Sequence, residues 1–235
     1  MNDRTEVAII AAMEREIAPL VRGWEMIFGP RYHYYERGNV IEVAGGIGPK
    51  AARQVTETLL TFRQPLVVIS TGFAGSLRQS LTVGSILVPT KVLSNEKEQT
   101  FRMEEGEGTL VSTASIVNAS GKRALAAKYA ADAVDMEAAS VAEIAQSRGV
   151  RFLAVKAVSD DASFVMPPLG RFIDDHGKFR TLRFAAYAAV RPGMWAALGK
   201  LKRNTDQAAN ALCECLGRIN NAADVDLLFR GAHAG

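Results

Sequence analysis

The sequence predicts an α/β fold: a single three-layer domain whose central sheet is mostly parallel, mixed and twisted, and flanked by helices. Short apolar runs rich in Val, Ile and Ala alternate with helical patterns, which is typical of βα units. The composition, 48% hydrophobic and 23% charged over 235 residues, suits one globular core. No repeat or low-complexity linker divides the chain. We therefore expect one domain over residues 1–235, in which residues 164–235 form a helical C-terminal extension.

Five apolar runs bounded by turn residues predict buried strands. Continuous apolar runs of this kind are typical of strands covered on both faces. The five runs are residues 7–12, 40–43, 66–70, 85–88 and 152–158, and two weaker candidates are residues 109–112 and 133–136. Residues 91–108 carry charges and glycines, which favours a loop.

Helical patterns fill most of the remaining sequence. One helix is expected to begin at Gly48-Pro49 and to run to about Arg63, because proline suits the first helical position. Another is expected over residues 138–148 and ends before Gly149, a typical helix stop. The remaining predicted helices cover residues 120–130, 179–190, 192–202 and 206–216.

Charge and cysteine content exclude several classes of protein. The formal net charge of +3 is too small to predict a nucleic-acid partner. Cys213 and Cys215 lie two residues apart in a predicted helix, a spacing that suits neither a disulfide nor a zinc site. No secretory signal is expected at the start of the chain, and no run approaches the roughly 20 apolar residues of a membrane span. We expect a cytoplasmic protein.

Polar residues at the ends of predicted strands are the first candidates for a site, because ligands of open α/β sheets collect there. Glu14 follows the first strand, residues 45–48 the second, residues 71–75 the third, and Ser159-Asp160 the last, while Met136-Glu137 opens a helix. Each has a plainer structural interpretation. Acids favour helix N-termini, serine and aspartate cap helices, and glycine pairs form tight turns. Neither glycine-rich stretch fits a dinucleotide or phosphate-binding fingerprint.

Taken in order, five motifs resemble the nucleoside phosphorylase superfamily, especially the methylthioadenosine/S-adenosylhomocysteine nucleosidases. The motifs are AAMERE, GGIGPKAA, STGFAGSL followed by VGSILVP, VDMEAASVAEIA, and KAVSDDAS. The resemblance covers roughly residues 7–163. It implies cleavage of the N-glycosidic bond of a purine nucleoside with release of adenine, without a metal or organic cofactor, in a homo-oligomer.

The resemblance also implies roles for individual residues. Glu14 would be the general base for the attacking water, and Asp160 the general acid toward N7 of the purine, provided that it is protonated. Glu137 would hold the ribose hydroxyls. The other implied substrate-binding residues are Met136 on the sugar, Ser159 beside Asp160, Ile116 and Val117 around the base, and Phe73, Ala74 and Gly75 of the third motif.

The sequence departs from the nucleosidase pattern at Phe73 and in its C-terminal segment, and each departure leaves alternative functions open. Phe73 stands where the nucleosidases and many phosphorylases carry a small hydroxyl residue, and a phenyl ring cannot hydrogen-bond to phosphate or water. Water therefore competes with phosphate, a possible co-substrate, as the nucleophile. A nicotinamide-dependent oxidoreductase is disfavoured by the missing fingerprint.

The C-terminal segment, PPLGRFIDDHGKFRTLRFAAYAAVRPGMWAALGKLKRN, resembles the tail of the hopanoid-associated phosphorylases, which implies adenosylhopane as substrate. The alternatives are a methylthioadenosine/S-adenosylhomocysteine nucleosidase, a purine nucleoside phosphorylase, or a non-catalytic nucleoside-binding relative. Residues 171–203 hold eight Lys or Arg against two acids, interleaved with aromatic residues. Such a segment suits a lipid-tailed substrate and peripheral contact with the inner face of a membrane, or else core and subunit packing.

Overall fold

A computed structural model describes residues 5–229 of the chain. Eleven strands form one mixed sheet in the order β2-β3-β4-β1-β5-β10-β9-β7-β8, and β11 pairs with β5 and β6. The strands are β1 Val7–Ala11, β2 Glu25–Phe28, β3 His33–Arg37, β4 Val40–Ala44, β5 Val67–Ser76, β6 Ile86–Leu87, β7 Lys91–Ser94, β8 Thr100–Arg102, β9 Thr109–Ser112, β10 Ala133–Asp135 and β11 Arg151–Asp160.

Helices cover both faces of this sheet. They are α1 Glu14–Ile17, α2 Pro49–Phe62, α3 Ala119–Tyr129, α4 Ala138–Ser147, α5 Thr181–Ala189, α6 Trp195–Leu216 and α7 Ala222–Phe229, with 3-10 turns at Leu169–Phe172 and Pro192–Met194. Alternate residues of the central strands point to opposite faces. On β1, Ile9 packs with α6 and α7, whereas Ile10 packs with α2 and α4. The predicted three-layer α/β class is confirmed.

Two of the predicted connections are regular structure instead. Residues 91–108 contain β7 and β8, and β7 pairs in parallel with β9. Val92 and Phe101 are the buried residues of these two strands. Because the other residues are half-buried or exposed and two of them are charged, the sequence shows no apolar run that would identify a strand. The two helices predicted over 192–202 and 206–216 are a single helix, α6. The hydroxyl of Thr205 donates to the carbonyl of Lys202 inside that helix, so the polar residues at the junction do not end it.

The hairpin β2–β3 and helix α7 add elements that the sequence did not predict. Tyr34 is the one deeply buried side chain of the hairpin, so the hairpin carries little hydrophobic alternation. No helical pattern was identified in the sequence of α7.

Strands β5 and β11 bring two of the glycine and acid motifs together. Their parallel register places Lys156 beside Gly72 and Ala157 beside Phe73, and it shifts at a bulge between Val158 and Asp160. The STGFAGS motif is therefore part of a strand and not a turn after one. A bulge re-aims the side chains around it, here those of Ser159 and Asp160.

Candidate active site

A cavity of about 1360 Å³ opens at the carboxyl ends of β1, β4 and β11 and along the second half of β5. It is larger than the roughly 300–1,000 Å³ of most small-molecule sites. Every residue that the sequence proposed for the site lines it: Glu14, Phe73, Ala74, Gly75, Ile116, Val117, Met136, Glu137, Ser159 and Asp160.

Glu16, which the sequence analysis did not select, is the buried acid at the β1 end of the cavity. Its side chain is almost fully buried, and Oε2 accepts hydrogen bonds from the backbone N–H groups of Ala12 at 3.0 Å and Met13 at 2.9 Å. Oε1 accepts from the N–H of Phe73 at 3.2 Å. Burial raises the pKa of Glu16, although these backbone donors and the Lys156 ammonium oppose the rise.

Glu14 lies on the other side of the same short helix. It is the first residue of α1 and its side chain is exposed at the mouth of the cavity. Glu16 occupies the third helical position, from which a glutamate folds back onto the N–H of the residue before the helix. Glu16, and not Glu14, is therefore the buried carboxylate at this end of the cavity. The glutamate three residues after Met13 was a partial sequence signal, because Met13 lacks the hydroxyl group of a complete capping box.

The glycines of the third motif make room for carboxylates. A Cβ atom on Gly72 would lie 3.0 Å from both carboxyl oxygens of Glu16, and Gly72 has φ of +125°. A Cβ atom on Gly75 would lie 3.0 Å from Oδ2 of Asp160. The motif thus lets the backbone of β5 pass between two acids, which explains its glycines without a phosphate cradle.

Glu137 lies where β10 meets α4. Its Oε1 accepts the N–H of Gly48 at 2.7 Å, which joins the second glycine motif to the fourth motif. Burial and the neighbouring Asp135 carboxylate raise the pKa of Glu137 to about 7, against the lowering effect of Lys156. Met136 beside it is half-buried against the cavity. Glu137 is thus poised between its neutral and ionised forms near neutral pH.

Lys156 is a buried cation among these acids. Its Nζ lies 2.9 Å from Oδ2 of Asp135, and both side chains are fully buried. Nζ also donates to the carbonyl of Thr71 at 3.0 Å and the hydroxyl of Ser70 at 3.2 Å. Burial opposes its charge, but Asp135 and Glu137 outweigh that effect and raise the pKa of Lys156. Lys156 was not among the predicted site residues, although a lysine inside an apolar strand is a visible signal.

Asp160 holds donors on both carboxyl oxygens. The hydroxyl of Ser159 donates to Oδ1 at 2.8 Å, and the ammonium of Lys122 contacts Oδ2. Lys122 comes from α3, which follows the loop of Ile116 and Val117. These two residues are half-buried and line the cavity beside Asp160.

The C-terminal segment builds an apolar wall of the cavity. Its contributing side chains include Leu169, Ile173, Phe179, Phe184, Leu198 and Leu201. The rings of Phe179 and Phe184 meet edge to face, with centroids 5.4 Å apart. His33 and His176 also line the cavity. Over residues 5–229, no cluster of His, Cys, Asp or Glu could hold a metal ion.

Comparisons with known proteins agree with this geometry. The family model described as the phosphorylase superfamily matches residues 6–114 and 96–181. A curated 5'-methylthioadenosine/S-adenosylhomocysteine nucleosidase of Bacillus pumilus is 30% identical over 203 residues, covering 67% of this chain and 86% of that protein.

Two Helicobacter pylori crystal structures share the fold. The 5'-methylthioadenosine/S-adenosyl homocysteine nucleosidase superposes with a TM-score of 0.70 at 19% identity, over 96% of this chain and 100% of its own. The futalosine hydrolase gives 0.64 at 20% identity, over 88% and 95%. At these identities the two structures show the common architecture, including its C-terminal helices.

Proposed function

Because the chain belongs to the phosphorylase superfamily, we propose that it cleaves the N-glycosidic bond of an adenosyl nucleoside and releases adenine. The observation that carries the proposal is the meeting of Glu16, Glu137 and Asp160 in one cavity. They suit the three parts of this reaction: activation of the nucleophile, a grip on the ribose, and relief of charge on the leaving base.

In the proposed reaction the C1′–N9 bond breaks and its electron pair leaves with the purine. The sugar passes through an oxocarbenium-like state, as in glycoside hydrolysis, which nearby carboxylates stabilise. Ionised Glu137 accepts hydrogen bonds from the ribose hydroxyls. Ser159 orients Asp160. A proton delivered to N7 of the purine at the Asp160 end of the cavity neutralises the negative charge on the leaving base.

Glu16 is the proposed general base for the attacking water. Its raised pKa brings it nearer to neutral pH, where a base is most effective. Three backbone N–H groups, those of Ala12, Met13 and Phe73, fix its direction. These contacts favour water over phosphate as the nucleophile. Phosphate stays the alternative, and Arg15 on the cavity wall is a cation that could bind it.

The substrate that we propose carries a large apolar group on its ribose, and adenosylhopane is such a molecule. The size of the cavity and its apolar C-terminal wall support this, because both suit a large apolar group. The competing substrate is methylthioadenosine, which the name of the Bacillus pumilus relative favours. The C-terminal resemblance supports adenosylhopane.

The same segment carries a candidate membrane-facing surface. Leu182, Val190 and Trp195 are 87%, 73% and 57% exposed, and Arg183 and Arg191 are exposed among them. Exposed apolar side chains mixed with cations suit an anionic lipid surface. Over residues 5–229, no helix is long and apolar enough to span a membrane, so the proposed contact is peripheral.

The test is product analysis with adenosine, methylthioadenosine and adenosylhopane, each with and without ³²P-phosphate. We expect free adenine, fastest with adenosylhopane, and no label in the sugar. Labelled sugar phosphate would identify a phosphorylase. Absence of adenine from all three substrates, while calorimetry shows adenine binding, would identify a non-catalytic relative. Asp160→Asn should lower adenine release by ~10²–10⁴-fold.

A further inference from the structure

Lys122 is a buried cation that none of the motifs contains. It is 3% exposed, and it lies on α3, four residues after Asn118, the residue before that helix. Its Nζ contacts Oδ2 of Asp160 and donates to the carbonyl of Asp161 at 2.7 Å. Lysine is almost never this buried unless its charge is paired. Since Lys122 lines the cavity, its ammonium adjoins whatever ligand Asp160 contacts.

The fold makes specific room for this pair. A Cβ atom on Gly75 would lie 3.0 Å from Cε and 3.1 Å from Nζ of Lys122, as well as close to Asp160. Any side chain at position 75 would therefore push the ammonium away from the carboxylate. The glycine of β5 and the lysine of α3 are two independent elements that converge on one carboxyl group.

Both carboxyl oxygens of Asp160 accept hydrogen bonds. Ser159 donates to one oxygen and Lys122 to the other, so the group is held as a carboxylate. N7 of a purine is also an acceptor, and two acceptors cannot share a hydrogen bond without a proton between them. An ammonium has three N–H bonds. Within residues 5–229, Asp160 and Asp161 take two of them, which leaves the third for a ligand in the cavity.

We propose that the Lys122 ammonium, held by an ionised Asp160, is the source of the proton that the departing purine takes at N7. This rests on the proposed function and refines its acid. As the C1′–N9 bond breaks and its electron pair moves onto the base, one proton passes from Nζ to N7. Lys122 becomes a neutral amine and regains a proton from solvent once the base has left. Asp160 stays a carboxylate throughout and orients the donor.

A binding test needs no turnover. Adenine and 7-deazaadenine, which has a C–H in place of N7, are titrated into the full-length protein by calorimetry. The wild type should bind adenine on the order of 10–100-fold more tightly, as expected for one charge-assisted hydrogen bond. Lys122→Met should lose this preference. Lys128→Met removes the same charge from the exposed end of α3 and should keep it.

A turnover test separates proton donation from simple neutralisation of Asp160. Lys122→Arg keeps a cation beside the carboxylate, but a guanidinium does not give up its proton. We expect Lys122→Arg to keep its adenine affinity within a few-fold while kcat with methylthioadenosine falls ~10²–10⁴-fold. Lys122→Gln, a neutral donor, should behave in the same way. Either variant can serve if the other does not fold.

The outcomes distinguish this inference from the proposed function. Equal binding of adenine and 7-deazaadenine by the wild type would overturn the role of Lys122, whether or not the protein turns over. Wild-type kcat in Lys122→Arg or Lys122→Gln would also overturn it and leave Asp160 as the acid. If the wild type prefers adenine through Lys122 but cleaves no nucleoside, the proposed function fails and the assignment of the N7 donor stands.

Discussion

At the scale of single residues, the site depends on carboxyl groups kept away from water and supplied with fixed donors. Glu16 receives three backbone N–H groups, which orient one face of the carboxylate and leave the cavity side to a nucleophile. Fixed dipoles of this kind need no rearrangement during the reaction. The role of Glu16 in the chemical step can therefore be tested separately from substrate binding, by comparing kcat with KM.

Glu16→Gln should lower kcat for adenine release by ~10²–10⁴-fold and change KM little, because the amide keeps the size of the side chain and one oxygen for the Ala12 and Met13 N–H groups but cannot accept a proton. Glu14→Gln should cost much less, since that side chain is exposed at the rim. Steady-state kinetics on both variants makes the comparison, with the exposed Glu214→Gln as control. A larger loss of kcat in Glu14→Gln than in Glu16→Gln would identify Glu14 as the general base.

Glu137 should give nucleoside binding a dependence on pH. Its pKa of about 7 means that it is mostly neutral in the free protein at pH 6 and below. Gripping two ribose hydroxyls favours the ionised form, so the affinity should rise with pH and level off above 7. Below 7 it should fall by up to about tenfold per pH unit.

The measurement is calorimetry with a C-nucleoside analogue of adenosine, whose glycosidic C–C bond resists cleavage. Glu137→Gln, which cannot ionise, should bind weakly and lose most of this slope. An unchanged slope in Glu137→Gln would place the titrating group elsewhere, with Glu16 the first alternative.

At the residue level, the motifs predicted positions in the chain, whereas burial decides which charged groups face one another. Met136 and Glu137 follow β10, Ser159 and Asp160 end β11, and all four line the cavity. Lys122 lies outside every motif, and Lys156 opens the KAVSDDAS motif without any pattern that marks it as a counter-ion. Only the three-dimensional packing shows that each is a buried counter-ion to an acid.

At the scale of elements, the C-terminal helices α5 and α6 determine which substituent on the ribose the cavity can accommodate. Apolar side chains of α5 and α6 line its wall, while other residues of the same segment face outward. Helical periodicity predicted both helices approximately. It could not show which face is the wall, because large apolar residues occur on both faces of α5: Phe184 lines the cavity and Leu182 is exposed.

The outward face of α5 should bind anionic bilayers. We expect the protein to co-sediment with phosphatidylglycerol vesicles, more weakly with phosphatidylcholine, and less as salt increases. The double variant Leu182→Asp/Val190→Asp should weaken this partitioning by on the order of 10-fold or more, because it removes apolar contact and adds negative charge. Leu227→Asp alters an exposed leucine on α7 and serves as control. Equal sedimentation of the wild type and the double variant would exclude α5 as the contact.

At the scale of the whole molecule, the alternation of apolar runs and helical patterns was enough to predict the layers. It was not enough for the sheet edges. Strand β2 exposes Phe28 and Met26, and β8 is three residues long, so neither carries the buried run that identifies a central strand. The expected homo-oligomer and the cytoplasmic location stay predictions.

The ion pair of Lys156 and Asp135 connects the fold as a whole to the site. It joins β11 to β10 at full burial. Asp135 also accepts the N–H of Ala138 at 2.8 Å, at the start of α4. Removing one member of a buried pair leaves a charge without compensation, which typically costs ~3–5 kcal/mol. Lys156→Met should therefore destabilise the protein by about that amount in urea unfolding at pH 8.

The pH dependence of this loss identifies its cause. Without the lysine, the carboxyl groups of Glu137 and Glu16 lose a cation that lowers their pKa, so both pKa values rise further. A carboxyl with a raised folded pKa holds its proton more tightly in the folded state, so its contribution to stability falls as pH rises. Relative to the wild type, Lys156→Met should lose most stability at pH 8 and least near pH 5. The double variant Asp135→Asn/Lys156→Met should recover part of the loss at pH 8, because one uncompensated carboxylate has gone. A loss that is constant from pH 5 to pH 8 would show that Lys156 matters for packing and not for charge.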